Sequence, residues 1–121
     1  MDYNSAVTID ARSHAGVRFT VAKMSLGRRI ELTRRIAEVS RKAEFLEAGA
    51  TAGDEVEAAA LAGEVDRLYL RWGLLGLEGM TLDGEPATAE TLAERGPEDL
   101  CREMVAAIKA ECGLSGEERK N

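Results

Sequence analysis

Few side chains in this sequence are of the types that carry out chemistry. His14 is the only imidazole, and Ser13 precedes it. A hydroxyl and an imidazole become nucleophile and base only when an acidic group orients the imidazole. The pair falls in a predicted exposed turn, where the sequence places no acidic partner, so we expect no catalysis from it.

The two cysteines, Cys101 and Cys112, fall in one predicted helix. They are about three turns and roughly 16 Å apart along its axis, whereas a disulfide needs Cα atoms within about 7 Å. Glu98 and Asp99 precede Cys101 and oppose a reactive thiolate. No Cys-x-x-Cys spacing exists and His14 is distant, so no metal site is indicated. We expect two small apolar residues in a reducing compartment, without metal or other cofactor.

Two further segments superficially resemble ligand-binding loops. Gly73, Gly76 and Gly79 are evenly spaced, but no strand pattern precedes them and no Lys-Ser/Thr pair follows, as a phosphate-binding loop requires. The segment Asp83–Glu85 lacks the spacing of oxygen ligands in an EF-hand. We therefore predict neither a nucleotide site nor a calcium site, and no enzyme.

The composition is that of a globular chain with one core. Its 121 residues are 45% hydrophobic and 31% charged, which favours a single domain over residues 1–121. The formal net charge of -6 argues against a nucleic-acid binder that depends on phosphate contacts. The longest apolar run, Ala58–Ala62, is too short to cross a bilayer. No secretory signal is recognised at the N-terminus, and we expect a cytoplasmic protein.

The N-terminal part has the two-residue period of β-strands. Apolar residues alternate with polar ones over Val7–Ala11 and again over Val17–Val21. The residues between them end in Gly16, which can adopt a conformation unfavourable for other residues. The pattern predicts a β-hairpin over residues 7–22. It leaves open whether the strands pair with each other or with another chain.

The rest of the chain has a helical period. Helices are predicted over residues 28–48, 54–71, 88–95 and 97–112, followed by a polar tail over 113–121. The first two carry apolar stripes and are separated by a glycine-rich breaker, which predicts an antiparallel αα-hairpin. The expected fold is thus mainly α: a small helical domain (αα-hairpin plus C-terminal helices) with an N-terminal β-hairpin.

Local signals mark the ends of these helices. Asp54 and Glu57 have the spacing of a capping box, and Thr88 is expected to cap the third helix. Pro97 suits the first helical position of the last helix, and Gly113 its end. Residues 73–87 are predicted to be a glycine-rich connector with a tight turn at Asp83-Gly84.

The first helix combines basic residues with interleaved glutamates. Its basic residues are Arg28, Arg29, Arg34, Arg35, Arg41 and Lys42. Glu31 and Arg35 form an i,i+4 pair in the favoured order, so the helix is interpreted as a solvated, charge-paired face. The second helix is acidic, and this complementarity serves folding or self-association. A nucleic-acid-associated regulator using the basic face stays as an alternative.

More apolar side chains lie off the helical stripes than one helical hairpin can bury. The candidate partner surface consists of Ile30, Phe45 and Tyr69 on the hairpin and Met104 and Ile108 on the last helix. The competing interpretation is burial of each residue in the core of the domain.

Several segments carry a resemblance to a known family. They are residues 16–32, Trp72-Gly73-Leu74, Leu82–Thr88, Pro97–Leu100, and the ending from Leu114-Ser115 to Lys120-Asn121. Together these segments resemble phage and prophage tail assembly chaperones. The similarity extends over most of the chain, but the family offers no motif residue that can be transferred to a position in this sequence.

This resemblance implies a mainly helical, non-enzymatic protein in the cytoplasm of the host cell. Tail assembly chaperones coat the tape-measure protein during assembly and help to recruit tail-tube subunits. Many are made in two lengths through a programmed frameshift, and an ending in Lys120-Asn121 is compatible with a slippery codon pair there. The alternative is a small homo-oligomeric helical module, structural or regulatory, whose apolar stripes pair with themselves.

Overall fold

The computed structural model describes the backbone of residues 1–49 and 52–113, with their side chains except those of residues 43–49, 52–55 and 58. Helices predominate in it, beside a three-stranded antiparallel sheet and a two-stranded one. The chain, predicted as one domain, divides into two compact units. Among the described residues, unit 1 is formed by Met1–Met24 and residues 69–113, and unit 2 lies within Ser25–Leu68.

The N-terminal strands pair with each other. Strand β1 (Ala6–Asp10) and strand β2 (Arg18–Ala22) form an antiparallel hairpin, which confirms the prediction over residues 7–22. Gly16 has a φ of 84°, in the left-handed region that glycine tolerates. On one face of the hairpin the hydroxyls of Thr8 and Thr20 are 2.9 Å apart. On the other face, the alternating apolar residues of β2 enter the core.

The glycine-rich connector contains a strand that its pattern does not reveal. Strand β3 (Leu74–Glu78) follows helix residues directly and pairs antiparallel with β2, giving the order β1-β2-β3. The prediction of a connector is therefore wrong over these residues. Their leucines do not alternate with polar residues, and the glycine among them lowers strand propensity. Hydrogen bonding to β2 stabilises β3, although the sequence of β3 has a weak strand propensity of its own.

The tight turn at Asp83-Gly84 is confirmed. Strands β4 (Thr81–Leu82) and β5 (Glu85–Pro86) pair on either side of it. Asp83 and Gly84 both have positive φ, 52° and 81°, as a two-residue hairpin turn requires.

All four predicted helices are present, with shifted ends. They are α1 (Leu26–Gly49), α2 (Ala52–Gly73), α3 (Ala89–Arg95) and α4 (Glu98–Glu111). Helix α1 begins before Arg28 because the Ser25 hydroxyl accepts a hydrogen bond from the Arg28 N–H at 3.3 Å. Helix α2 begins before Asp54, which lies inside the helix and not at its cap. Residues 50–51 of the predicted breaker lie outside the described part of the chain.

The caps of α3 and α4 follow the sequence signals closely. The Thr88 hydroxyl accepts from the Thr91 N–H at 3.2 Å, and the Thr91 hydroxyl accepts from the Thr88 N–H at 2.9 Å. Pro97 lies at the N-cap of α4, one position before the expected one. Gly113, with a φ of 73°, follows the end of α4. Leu114 and the rest of the polar tail lie outside the described residues.

The core of unit 1 forms where α4 packs on β2. Phe19 and Val21 of β2 are 1% and 0% exposed, and Leu100 of α4 is 0% exposed. The end of α2 adds Leu70 and Trp72 to the buried residues. A sheet and a helix thus each bury one apolar face in the manner of a two-layer domain.

Candidate functional site

The predicted partner surface is mostly buried. Tyr69 is 4% exposed, and Met104 and Ile108 are fully buried. The prediction that these three residues form a surface is therefore wrong, because they belong to the core. Helix α4 packs on β2, a partner that lies far away in the sequence and that the apolar pattern of α4 does not identify. Ile30 is exposed, at 52%. Phe45 lies in α1, but its side chain is outside the described part of the structure.

An exposed apolar surface lies at the start of α1. Leu26 is 82% exposed and stands one helical turn before Ile30. With Arg29, Thr33 and Arg34, these residues line one shallow, open depression. We call this set the α1 face. Leu26 lies before Arg28, where the helix was predicted to begin, although Ser25 is a typical capping residue and marks the earlier start.

The α1 face is bordered by positive charge. Arg34 and Arg41 are exposed and two turns apart, on the same side of the helix as Ile30. The glutamate of the predicted pair lies on a neighbouring side, where Glu31 and Arg35 form an ion pair at 2.7 Å. The apolar strip is therefore flanked by arginines, with this carboxylate engaged elsewhere.

Helix α2 exposes a surface of the opposite character. Val56 is 72% exposed, and Glu57 and Glu64, two turns apart, are exposed beside it. Glu64 is 3.6 Å from Arg67. Small exposed residues continue the strip that begins at Val56, and they are Ala59, Ala60 and Gly63. We call the set of Val56, Glu57, Ala59, Ala60, Gly63 and Glu64 the α2 face.

A polar cluster joins the β1–β2 loop to α4 within unit 1. Glu103 accepts hydrogen bonds from the Arg12 N–H at 2.7 Å, the Ser13 N–H at 3.0 Å and the Ser13 hydroxyl at 2.7 Å. Asp99 lies 3.1 Å from His14 Nε2 and accepts from the Leu100 N–H at 2.8 Å. Two carboxylates on one helix thus hold the loop, and we call them the loop clamp.

The clamp corrects the expectation that His14 lacks an acidic partner, since Asp99 is far from it in sequence. The same contacts separate the groups that a nucleophilic mechanism would join. The Ser13 hydroxyl donates to Glu103, while the imidazole contacts Asp99. Hydroxyl and imidazole therefore have different carboxylate partners, and the arrangement positions a loop.

The hydrogen bonds of the clamp lower the pKa of both carboxyls. The His14 hydrogen bond is the largest cause of the lowered pKa of Asp99, followed by the Leu100 N–H. Burial raises the pKa of Glu103, but the hydrogen bonds from Arg12 and Ser13 together outweigh it.

We expect the clamp to stabilise unit 1 only while its carboxylates are ionised. A lowered pKa in the folded state means that this stabilisation is present above the ordinary values, 3.8 for Asp99 and 4.5 for Glu103. It is lost as the pH falls through the still lower folded-state pKa values. The double variant Asp99→Asn with Glu103→Gln should therefore melt below wild type between about pH 5 and 7, and the difference should shrink in more acidic solution.

Thermal unfolding followed by circular dichroism across this pH range measures the difference. Glu85→Gln, at an exposed position in β5, is the matched control and should follow the wild-type curve. A difference between the double variant and wild type that stays constant down to the most acidic pH would contradict the clamp.

The cysteines are both free thiols, and their surroundings oppose reactivity. Cys112 is buried, while Cys101 is half-buried and donates its thiol hydrogen bond to the Leu92 carbonyl at 3.2 Å. Burial, and then the negative charges of Asp99 and Glu98, raise the pKa of the Cys101 thiol. The sequence-based expectation that these acids oppose a thiolate is confirmed.

Two properties of the described residues concern metal binding and membrane insertion. Among residues 1–49 and 52–113, no cluster of three or more His, Cys, Asp or Glu side chains could hold a metal ion. None of the helices in this part of the chain has both the length and the hydropathy of a bilayer span. Comparison with protein-family models, curated proteins and solved structures gave no match to the chain.

Proposed function

We propose that the protein is a non-enzymatic tail assembly chaperone of a phage or prophage. In this proposal it acts in the cytoplasm of the host cell, where it binds the tape-measure protein and tail-tube subunits during tail morphogenesis. The proposal rests on the resemblance of the segments quoted above, together with one structural observation. That observation is the exposure of Leu26 and Ile30 on α1.

Exposed apolar residues on a helix are what a chaperone of a long helical partner needs. Large apolar side chains that water surrounds gain free energy when a partner covers them. A tape-measure protein offers many helical segments to such a surface, so weak binding at each copy adds up along its length. The net charge of -6 opposes aggregation of the free chain.

Three of the segments that carry the resemblance lie where elements of unit 1 begin and end. Leu82–Thr88 contains the β4–β5 turn and the cap of α3, and Pro97 caps α4. Trp72–Leu74 passes from α2 into β3, where a Cβ on Gly73 would lie 2.5 Å from Ile108 Cγ2. The similarity therefore concerns residues on which the fold depends. We propose in addition that α1 and α2 form the antiparallel αα-hairpin that their apolar stripes predict.

Co-expression with the tape-measure protein of the same tail gene cluster tests this function. We expect the tape-measure protein to remain in solution and to co-purify with the chain. Ile30→Glu should reduce the captured amount at least about tenfold, because it places a charge in the apolar contact. Leu75→Glu is the matched control, since Leu75 in β3 is 50% exposed and Ile30 52%. Absence of capture by the wild-type chain would refute the proposal.

A second test uses the gene with its native downstream DNA. Intact mass spectrometry should show, beside the 121-residue chain, a longer product with the same N-terminus that departs near Lys120-Asn121. A single product would favour the alternative, a homo-oligomeric helical module, which the exposed α1 and α2 faces also support. Salt-sensitive retention on DNA would instead support the regulator that uses the basic face.

A further inference from the structure

Unit 2 carries two exposed surfaces that complement each other in charge and shape. The α1 face presents two large aliphatic side chains, Leu26 and Ile30, beside Arg34 and Arg41. The α2 face presents small residues and Val56 beside Glu57 and Glu64. In both pairs the charged residues are two helical turns apart, so they repeat at the same interval along each helix.

We propose that the α1 face of one copy docks on the α2 face of a second copy of this chain. The large side chains of α1 lie against the small residues of α2, which lets the two helices approach closely. The arginines of one copy then face the glutamates of the other. A contact of this kind is made twice in a symmetric pair, because each copy offers both faces.

In the purified chain, a second copy is the favoured occupant of the α1 face because the complementary surface is present on this same chain. An anionic surface alone would satisfy the arginines but would leave Leu26 and Ile30 without an apolar counterpart. The α2 face supplies the carboxylates and the apolar strip together. The inference does not depend on the tape-measure protein, and it is tested on the purified chain alone.

Sedimentation velocity of the full chain gives the first measurement. From about 1 to about 200 µM, wild type should change from monomer to dimer. The dissociation constant should rise with ionic strength, because the exposed charges are screened by salt. A wild-type chain that stays monomeric over this range would overturn the proposal, whatever the result of the tape-measure experiment.

Charge reversal in each face provides the second measurement. Arg34→Glu with Arg41→Glu makes both faces acidic, and Glu57→Arg with Glu64→Arg makes both basic. Each variant alone should bind itself at least about tenfold more weakly than wild type. An equimolar mixture of the two should regain association to within about threefold of wild type, because each acidic face again meets a basic one.

The matched control reverses two other charges of α1 with the same spacing. Arg35→Glu with Lys42→Glu changes exposed residues that lie about 100° further around the helix. This control should associate like wild type. The proposal fails if the control weakens association as much as Arg34→Glu with Arg41→Glu, or if the mixture does not regain it. Far-ultraviolet circular dichroism of every variant should match wild type, since all the altered residues are exposed.

Discussion

Met104→Glu should unfold unit 1 under conditions in which wild type is fully folded. Met104 is completely buried on the face of α4 that packs on β2. An ionised carboxylate there would lose its hydration without gaining a partner, and removal of the methionine also leaves a packing defect. We expect the free energy of unfolding to fall by at least about 3–5 kcal/mol, from the roughly 5–15 kcal/mol that a domain has.

Urea unfolding followed by tryptophan fluorescence measures this loss, because Trp72 belongs to the same buried set. Ala106→Glu places the same charge at an exposed position of α4 and should change stability by at most about 0.5 kcal/mol. If Met104→Glu and Ala106→Glu had equal stability, Met104 would be a surface residue, as the sequence alone suggested.

Gly79→Ala should produce the second large loss of stability. Gly79 has a φ of 86°, which disfavours any residue with a Cβ by about 1–2 kcal/mol. A Cβ there would also overlap the carbonyl oxygen of Gly16. Because that atom belongs to the backbone, no side-chain rotation relieves the overlap, and the β1–β2 loop must move away from the end of β3. We expect a total loss of at least about 3 kcal/mol.

Gly84→Ala separates the two causes. Gly84 has a similar φ of 81°, but a Cβ built on it would meet no atom within 4 Å. Its loss should therefore be limited to the conformational contribution of about 1–2 kcal/mol. Urea titration of both variants compares them directly. Equal losses would show that the contact between Gly79 and Gly16 does not restrain the loop.

The sequence predicted well those elements whose signals are local. The β1–β2 hairpin, the Asp83-Gly84 turn and the Thr88 cap each depend on residues close together in the chain. Strand β3 was missed because its order comes from pairing with β2, which lies far away in sequence. Local propensity does not report such a partner, and a glycine-containing run of leucines has no two-residue period.

The same cause explains most of the errors in the candidate site. Tyr69, Met104 and Ile108 were assigned to the surface because the core available to them includes a sheet that was only partly foreseen. The acidic partner of His14 was missed because Asp99 reaches it only through the packing of α4 beside the β1–β2 loop. Of the two alternatives left open for Ile30, the structure shows exposure, because Ile30 lies off the stripe that buries Leu32.

The position of unit 2 within the chain has a consequence for the order of folding. Val21 of β2 pairs with Leu74 of β3, yet the whole of Ser25–Leu68 lies between them. During synthesis the β1–β2 hairpin can form at once, whereas β3 emerges only after the whole of α1 and α2. One edge of the central strand, β2, therefore stays unpaired until β3 has been synthesised. Each residue that becomes ordered in unit 2 shortens the flexible segment between β2 and β3, which lowers the entropic cost of pairing them. Early formation of α1 and α2 would thus accelerate completion of the β1-β2-β3 sheet, although neither helix is part of that sheet.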